Sequence, residues 1–188
     1  YFPMIVNSDE RQWGWMDEGL DTFMQYLTEQ ELDPEYPSRR GDPSKIVRYM
    51  SGNQDFISPI MSNPENVFQL GPNAYGKPAT ALNILRETIM GKELFDYAFK
   101  TYSQRWMFKH PSPEDFFRTM EDASAVDLDW FWRGWFYSTD VVDIGLKSVK
   151  RFHISPNATE EVKELVKGYG MTVDELPPMV FMISEDSE

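Results

Sequence analysis

Two side chains in this sequence pair a reactive type with a position that a fold can hold firmly. Glu18 stands in Trp13-Gly14-Trp15-Met16-Asp17-Glu18-Gly19-Leu20, where an apolar stripe begins. A carboxylate there can grip a cation or take a proton, but the N–H dipoles of a first helical turn also favour negative charge and account for it alone. Tyr75 stands in Asn73-Ala74-Tyr75-Gly76-Lys77-Pro78-Ala79. Its phenol stays protonated at neutral pH and donates a hydrogen bond without adding net charge. Taken in isolation, packing or capping is the better explanation of it.

The remaining side chains narrow the chemistry. There is no Cys, which removes disulfides, thiolate metal sites and Cys nucleophiles together and leaves the redox compartment open. The two histidines, His110 and His153, are 43 residues apart, so no imidazole pair lies at helical spacing. His110, between Lys109 and Pro111, reads as a loop residue, and His153 as solvent-facing or bonded to a neighbour. Trp130, Trp132 and Trp135 with Phe131 and Phe136 could cage a cation, yet their helical spacing points to a core. Arg39-Arg40 reads as a solvated turn unless a carboxylate of substrate or of another domain meets it. On these residues alone the chain holds no complete catalytic site.

The elements that must position Glu18 and Tyr75 follow from periodicity. Met16, Leu20, Phe23, Met24 and Leu27 fall on one face of an amphipathic helix that Asp33-Pro34 and Pro37 end. A charged loop runs from Ser38 to Pro43, followed by a short helix near residues 44–50. Breakers at Gly52, Pro59, Pro64, Gly71 and Pro72 make 51–73 a loop-rich connector with a turn near Pro59 to Ser62. From Tyr75 to Met90 apolar residues occupy more than one face, which predicts a helix buried nearly all round and closed by Gly91. Leu94, Phe95, Ala98, Phe99, Tyr102 and Trp106 mark the next helix. Ser112-Pro113-Glu114-Asp115 caps a third, through Phe116, Phe117 and Met120, and Asp127 can cap a fourth, through Leu128, Phe131, Trp132 and Trp135. Past Ser138 the period changes: residues 144–154 alternate as a strand, Asn157 with Glu160 suggests a capping box for a short helix ending at Gly168, and Val180 to Ile183 suggests a final strand before an acidic tail. The expected architecture is mainly α: a helical bundle over 1–138 with a mixed strand and helix appendage over 139–188.

With those elements placed, residues 15–20 and the Tyr75 segment together resemble the gluzincin metallopeptidases of the aminopeptidase N type. That family carries His-Glu-x-x-His on one helix and a third ligand Glu eighteen residues beyond the second His, within Trp-x-Asn/Asp-Glu-Gly-Leu/Phe. Its first half often continues as His-Asn-Tyr/Trp; with Tyr1 as that aromatic and one residue supplied before it, Glu18 falls at the family spacing. The resemblance implies that Glu18 is the carboxylate ligand of a catalytic zinc. It also implies that Tyr75, 57 positions on, in a segment similar to the family's Tyr-x-Lys-Gly, donates to the oxyanion of the tetrahedral intermediate. Pro78 stands where the family usually has Gly. Zinc in such a site takes three protein ligands and keeps one position for a water, and the general base would be the Glu of the half-motif that this sequence does not contain. The resemblance extends over about residues 1–140 and implies the carboxyl-side part of a thermolysin-like catalytic domain, a peptide substrate with a free N-terminus, and a chain cut just after the zinc-binding helix.

Composition sets the outer limits. Eighteen basic residues against 31 acidic ones leave a charge of −13, which opposes phosphate backbones and anionic lipid surfaces and excludes nucleic acid as a favoured partner. No apolar run reaches the 18 residues that suggest a membrane span, and no charged-then-apolar leader opens the chain, which starts at Tyr1-Phe2-Pro3. A bundle missing its covering elements is expected to self-associate through the apolar surface so exposed. The competing expectation is a non-catalytic helical module that meets a protein partner. It requires Glu18 turned to bulk solvent and Tyr75 on the opposite surface.

Overall fold

The computed structural model describes residues 1–141, 144–155, 157–170, 172 and 178–187, with 181–187 described by their backbone. The chain divides into two compact units, Tyr1–Val141 and Val142–Glu188.

The first unit is helical. A single 3₁₀ turn, Gly14–Met16, buries Trp15 and Met16 and delivers the chain into α1, Glu18–Leu32. Leu20 and Phe23 lie on the buried face of α1, and Asp33 leaves the helix with extended backbone before Pro34. A 3₁₀ turn, Pro43–Ile46, precedes the short α2, Val47–Met50; Asp42 caps it, its Oδ1 accepting from the Ser44 amide at 2.9 Å.

The next helical run starts earlier than the breakers suggest. Gly71–Gly76 forms a wide π-helical turn, continuous with α3, Lys77–Ile84, and with a second π turn, Leu85–Ile89. Pro72 sits in the opening turn, where an amide has no helical acceptor to lose, so Gly71-Pro72 begins this helix where it was expected to prolong the loop. Residues Lys77 through Asn83 are all buried, the nearly all-round burial expected of this segment.

Gly91, at φ +82°, ends the run, a conformation that glycine adopts without strain. α4 spans Lys92–Arg105. α5, Pro113–Ser124, carries a complete capping box: Ser112 Oγ accepts from the Asp115 amide and the Asp115 carboxylate accepts from the Ser112 amide. α6 spans Asp129–Phe136; its cap position is Leu128 and not Asp127, although Asp127 Oδ1 accepts from the Asp129 amide at 3.1 Å in a local turn.

These helices close on an aromatic core, which takes up a large share of the chain's Phe, Tyr and Trp residues. Trp15 is stacked on Phe117 with centroids 5.7 Å apart and meets Phe136 edge-on at 4.8 Å. Phe116 meets Tyr102 edge-on at 4.8 Å, and Phe23 meets Phe95 at 5.4 Å, tying α1 and α5 to α4. Of the three tryptophans whose side chains could form a cage, Trp132 is buried and Trp135 packs on the core, whereas Trp130 is exposed.

In the second unit, β1, Ser148–Ser155, pairs antiparallel with β2, Met179–Ser187, with a bulge between Arg151 and Phe152. Between them lies α7, Glu160–Gly168. Its cap is Thr159, not Asn157: Thr159 has the extended backbone a cap needs and its hydroxyl accepts from the Val162 amide at 3.4 Å. Asn157 stands outside the helix, its amide donating to Ser155 Oγ.

Candidate active site

Glu18 and Tyr75 come from elements far apart in sequence, and a glycine lets those elements touch. A Cβ placed on Gly19 would lie 2.6 Å from Pro78 Cγ and 3.0 Å from the Ala74 carbonyl oxygen. No other residue fits that approach, and it sets the first turn of α1 directly against the π turn that carries Tyr75. Two side chains hold the π turn itself. Asn73 donates to the Ser58 and Pro59 carbonyls at 2.8 and 3.0 Å, and Lys77 Nζ donates to the Ser138 carbonyl at 3.1 Å. Tyr75 lies between these two tethers, and π turns of this kind recur at functional sites.

Glu18 and Tyr75, both half-buried, face each other. Burial pushes the Tyr75 phenol up from its ordinary value, and the Glu18 carboxylate, as hydrogen-bond partner and as charge, pushes it further. The Arg40 guanidinium pulls the other way. It lies over the Tyr75 ring, Cζ 4.1 Å from the centroid. At neutral pH the phenol therefore keeps its proton and is a donor.

Asp17, next to Glu18 in the chain, has Glu10, Glu18 and Asp21 as acidic neighbours. Asp17 is pushed up to about 7, first by burial, then by its hydrogen bond with Glu10 and by the charges of Glu18, Glu10 and Asp21. Asp17 and Glu10 can therefore share a proton near neutral pH, and Arg40 is the cation beside Tyr75.

The donor set for a metal is incomplete within these residues. Among the described residues no group of three or more His, Asp or Glu side chains is arranged to hold an ion. His110 is engaged elsewhere, its Nδ1 3.0 Å from the Asn7 carbonyl, and His153 lies on β1 in the second unit. Glu18 can give a zinc one carboxylate, but a tetrahedral catalytic site needs two further protein ligands, and these residues do not provide them.

Sequence reasoning singled out Glu18 and Tyr75, which the structure brings together. It missed Arg40 as the partner of Tyr75 and Lys77 as a buried tether. Pro78, noted only as a departure from a motif, turns out to be the surface on which Gly19 rests.

The chain matches the peptidase family M1 domain over residues 5–135, which takes in Glu18, Tyr75 and all of α1 to α5. It is 26% identical to glutamyl aminopeptidase of Sus scrofa over 180 residues, covering 90% of this chain and 19% of that protein. It is 24% identical to aminopeptidase N of Lactococcus lactis subsp. lactis over 156 residues, 74% of this chain and 18% of that protein. With aminopeptidase N of Escherichia coli the identity is 28% over 130 residues, 65% of this chain and 15% of the relative. The chain thus spans about a fifth or less of the length of these curated relatives. A family match covering well over half of the residues, on a helical unit that sets an acid beside a phenol, means that the chain belongs to peptidase family M1.

Proposed function

We propose that these residues are part of a zinc-dependent aminopeptidase that hydrolyses the N-terminal peptide bond of peptides. Residues 1–138 are the helical part of its catalytic domain, and 139–188 an appendage to it. Glu18 is the carboxylate ligand of the metal, and the His-Glu-x-x-His half of the site lies outside the 188 residues. When bound, the metal supplies Lewis-acid polarisation of the peptide carbonyl and a water of lowered pKa.

The chain's own contributions follow from the site. Glu18 presents a negative oxygen at the first turn of α1, fixed because Gly19 seats that turn on Pro78. Tyr75 holds its proton, since burial and Glu18 both oppose ionisation, and gives a hydrogen bond to the oxygen that becomes negative as the carbonyl is attacked. Asn73 and Lys77 keep the Tyr75 turn from shifting as that charge develops. The single observation that carries this reading is the Glu18 carboxylate lying against the Tyr75 phenol. The alternative of an interaction module would be favoured by these two on opposite surfaces; their proximity supports the peptidase reading.

The test has two arms. Zinc titrated into the purified 188-residue chain should show no tight stoichiometric binding, and the chain should not turn over an aminoacyl anilide; either result in the positive overturns the division of the site. In the full-length enzyme, Glu18→Gln should lose zinc, while Tyr75→Phe should keep zinc and lose roughly 10²–10³-fold in kcat, the usual cost of removing one oxyanion donor. Full activity in Tyr75→Phe ends the reading. The isolated chain should also self-associate through the apolar groove of about 830 Å³ between α1 and α4, lined by Phe23, Met24, Leu27, Phe95 and Phe99. A clean monomer in light scattering speaks against that.

A further inference from the structure

We propose that Arg40 is a receptor for a carboxylate on the peptide, placed one residue beyond the bond that is cleaved. The proposal rests on the peptidase reading of Tyr75 and adds to it a substrate class: peptides that carry a negative charge immediately after the scissile bond.

The geometry of the pair is the starting point. The guanidinium lies over the Tyr75 ring with Cζ 4.1 Å from the centroid. A guanidinium carries five N–H donors around its edge, in a fork that matches a carboxylate. The same guanidinium hydrogen-bonds the Tyr75 phenol oxygen, which uses part of that edge and leaves the remaining N–H groups to bind something else.

No protein acid takes the edge. The chain has 31 Asp and Glu, and still no carboxylate among the described residues forms an ion pair with Arg40. The nearest acid in sequence, Asp42, is committed: its Oδ1 accepts from both the amide and the hydroxyl of Ser44. Of the acids near Glu18, Asp17 and Glu10 are hydrogen-bonded to each other, and Glu18 itself is engaged with the Tyr75 phenol.

The loop holding Arg40 is built to keep it in place, unlike an ordinary solvated turn. Ser38 is buried, and its Oγ accepts from the Gly41 amide at 3.3 Å. Lys45 Nζ donates to the Ser38 carbonyl, and Asn83, itself buried in α3, reaches the Gly41 carbonyl at 3.5 Å. Gly41 is packed so tightly on Tyr26 that a Cβ there would lie 2.3 Å from Tyr26 Cβ. These contacts on either side hold the Arg40 backbone before any ligand arrives, which lowers the entropy cost of binding.

Reach limits the ligand, and the proposal places it on the side of the bond away from the free N-terminus. With the Tyr75 phenol at the oxygen of the scissile carbonyl, a guanidinium stacked on the same ring meets groups about one residue away, since consecutive Cα atoms are about 3.8 Å apart. Two groups supply a carboxylate at that distance: the free carboxyl end of a dipeptide, and the side chain of Asp or Glu as second residue of a longer peptide.

The experiment measures kcat/KM of the full-length enzyme, with wild type, Arg40→Ala and Arg40→Lys, on two matched pairs: a dipeptide and its amide, and an amidated tripeptide with Glu or Gln second. Arg40→Ala should reduce the preference for the charged member of at least one pair by roughly 10- to 100-fold, the range for a hydrogen bond to a charged group. The change should appear in KM, and Arg40→Lys should restore part of it. Loss in the dipeptide pair identifies the chain terminus as the source, and loss in the tripeptide pair identifies the side chain. If Arg40→Ala leaves both ratios unchanged, or lowers all four peptides equally, Arg40 only supports the Tyr75 ring and the proposal is overturned. The reading of Tyr75 fails separately, through full activity of Tyr75→Phe.

Discussion

Gly19 and Pro78 are in such close contact that hydrogen is the only substituent Gly19 can carry: a Cβ would meet the Pro78 ring at 2.6 and 2.8 Å and the Ala74 carbonyl at 3.0 Å. A proline ring and a helical carbonyl cannot swing aside as the end of a flexible side chain can. Glycine near the start of a helix is ordinarily replaceable by alanine with a gain of about 0.5–1 kcal/mol. Here the overlap decides the sign. Gly19→Ala should destabilise by about 1–3 kcal/mol, the range for an overpacked contact. Urea unfolding of the 188-residue chain measures this, and a Gly19→Ala protein as stable as wild type refutes the contact.

If the overlap is with the Pro78 ring, the two positions must be coupled. Pro78→Gly, which restores the residue that the aminopeptidase N type usually has there, should recover much of the loss when combined with Gly19→Ala. The double mutant should then deviate from additivity by about 1 kcal/mol or more, as contacting residues do. Additive effects would place the strain at the Ala74 carbonyl instead.

The elements around the site were legible where one local signal sufficed. Leu20 and Phe23 announce the buried face of α1, and Ser112 with Pro113 and Asp115 announces the start of α5, because a cap is satisfied within four residues. Gly71-Pro72 misled because the same two residues end one helix or begin another, and only the burial of Asn73 and Ala74 decides between these outcomes. Arg40 could not be placed from sequence: its position depends on Ser38, Gly41, Lys45 and Asn83, which converge from three elements without any period. Lys77 misleads for a different reason. Lysine is almost never fully buried, yet here it is 1% exposed.

Tyr102 offers a test of the core. Its ring is fully buried against Phe116, and its hydroxyl has no hydrogen-bond partner among the described residues. Burial, with a lesser contribution from Asp115, pushes the phenol far above its ordinary value, so it stays neutral and unpaired. Removing an oxygen that lost its water on folding and gained nothing in return should stabilise. Tyr102→Phe is expected to raise stability by about 1 kcal/mol, the lower end of the penalty for an unsatisfied buried group. Calorimetry reads this as a higher Tm, and a fall in Tm would mean that the hydroxyl is bonded in solution, for instance to an internal water.

Lys77 gives the unit a pH dependence whose direction can be worked out. Burial brings its ammonium down to about 8 from 10.5, with the charge of Asp140 partly opposing the shift. Between those two values the unfolded chain keeps the proton that the folded chain has released. Stability must therefore rise as pH rises through that window, and the whole penalty is present below about pH 8. The shift amounts to at most about 3 kcal/mol. The window to measure is pH 8 to 9.5, because Tyr75 and Tyr49, held protonated by burial, reverse the slope once unfolded tyrosines ionise near 10. Lys77→Met should flatten this rise. It should also be more stable than wild type at pH 7, by less than the full shift, since the Ser138 carbonyl loses the donor it has at 3.1 Å. Urea midpoints for both proteins across the window decide the matter: a wild-type profile with no upward slope, or one that Lys77→Met leaves in place, means that the ammonium is hydrated in the folded chain.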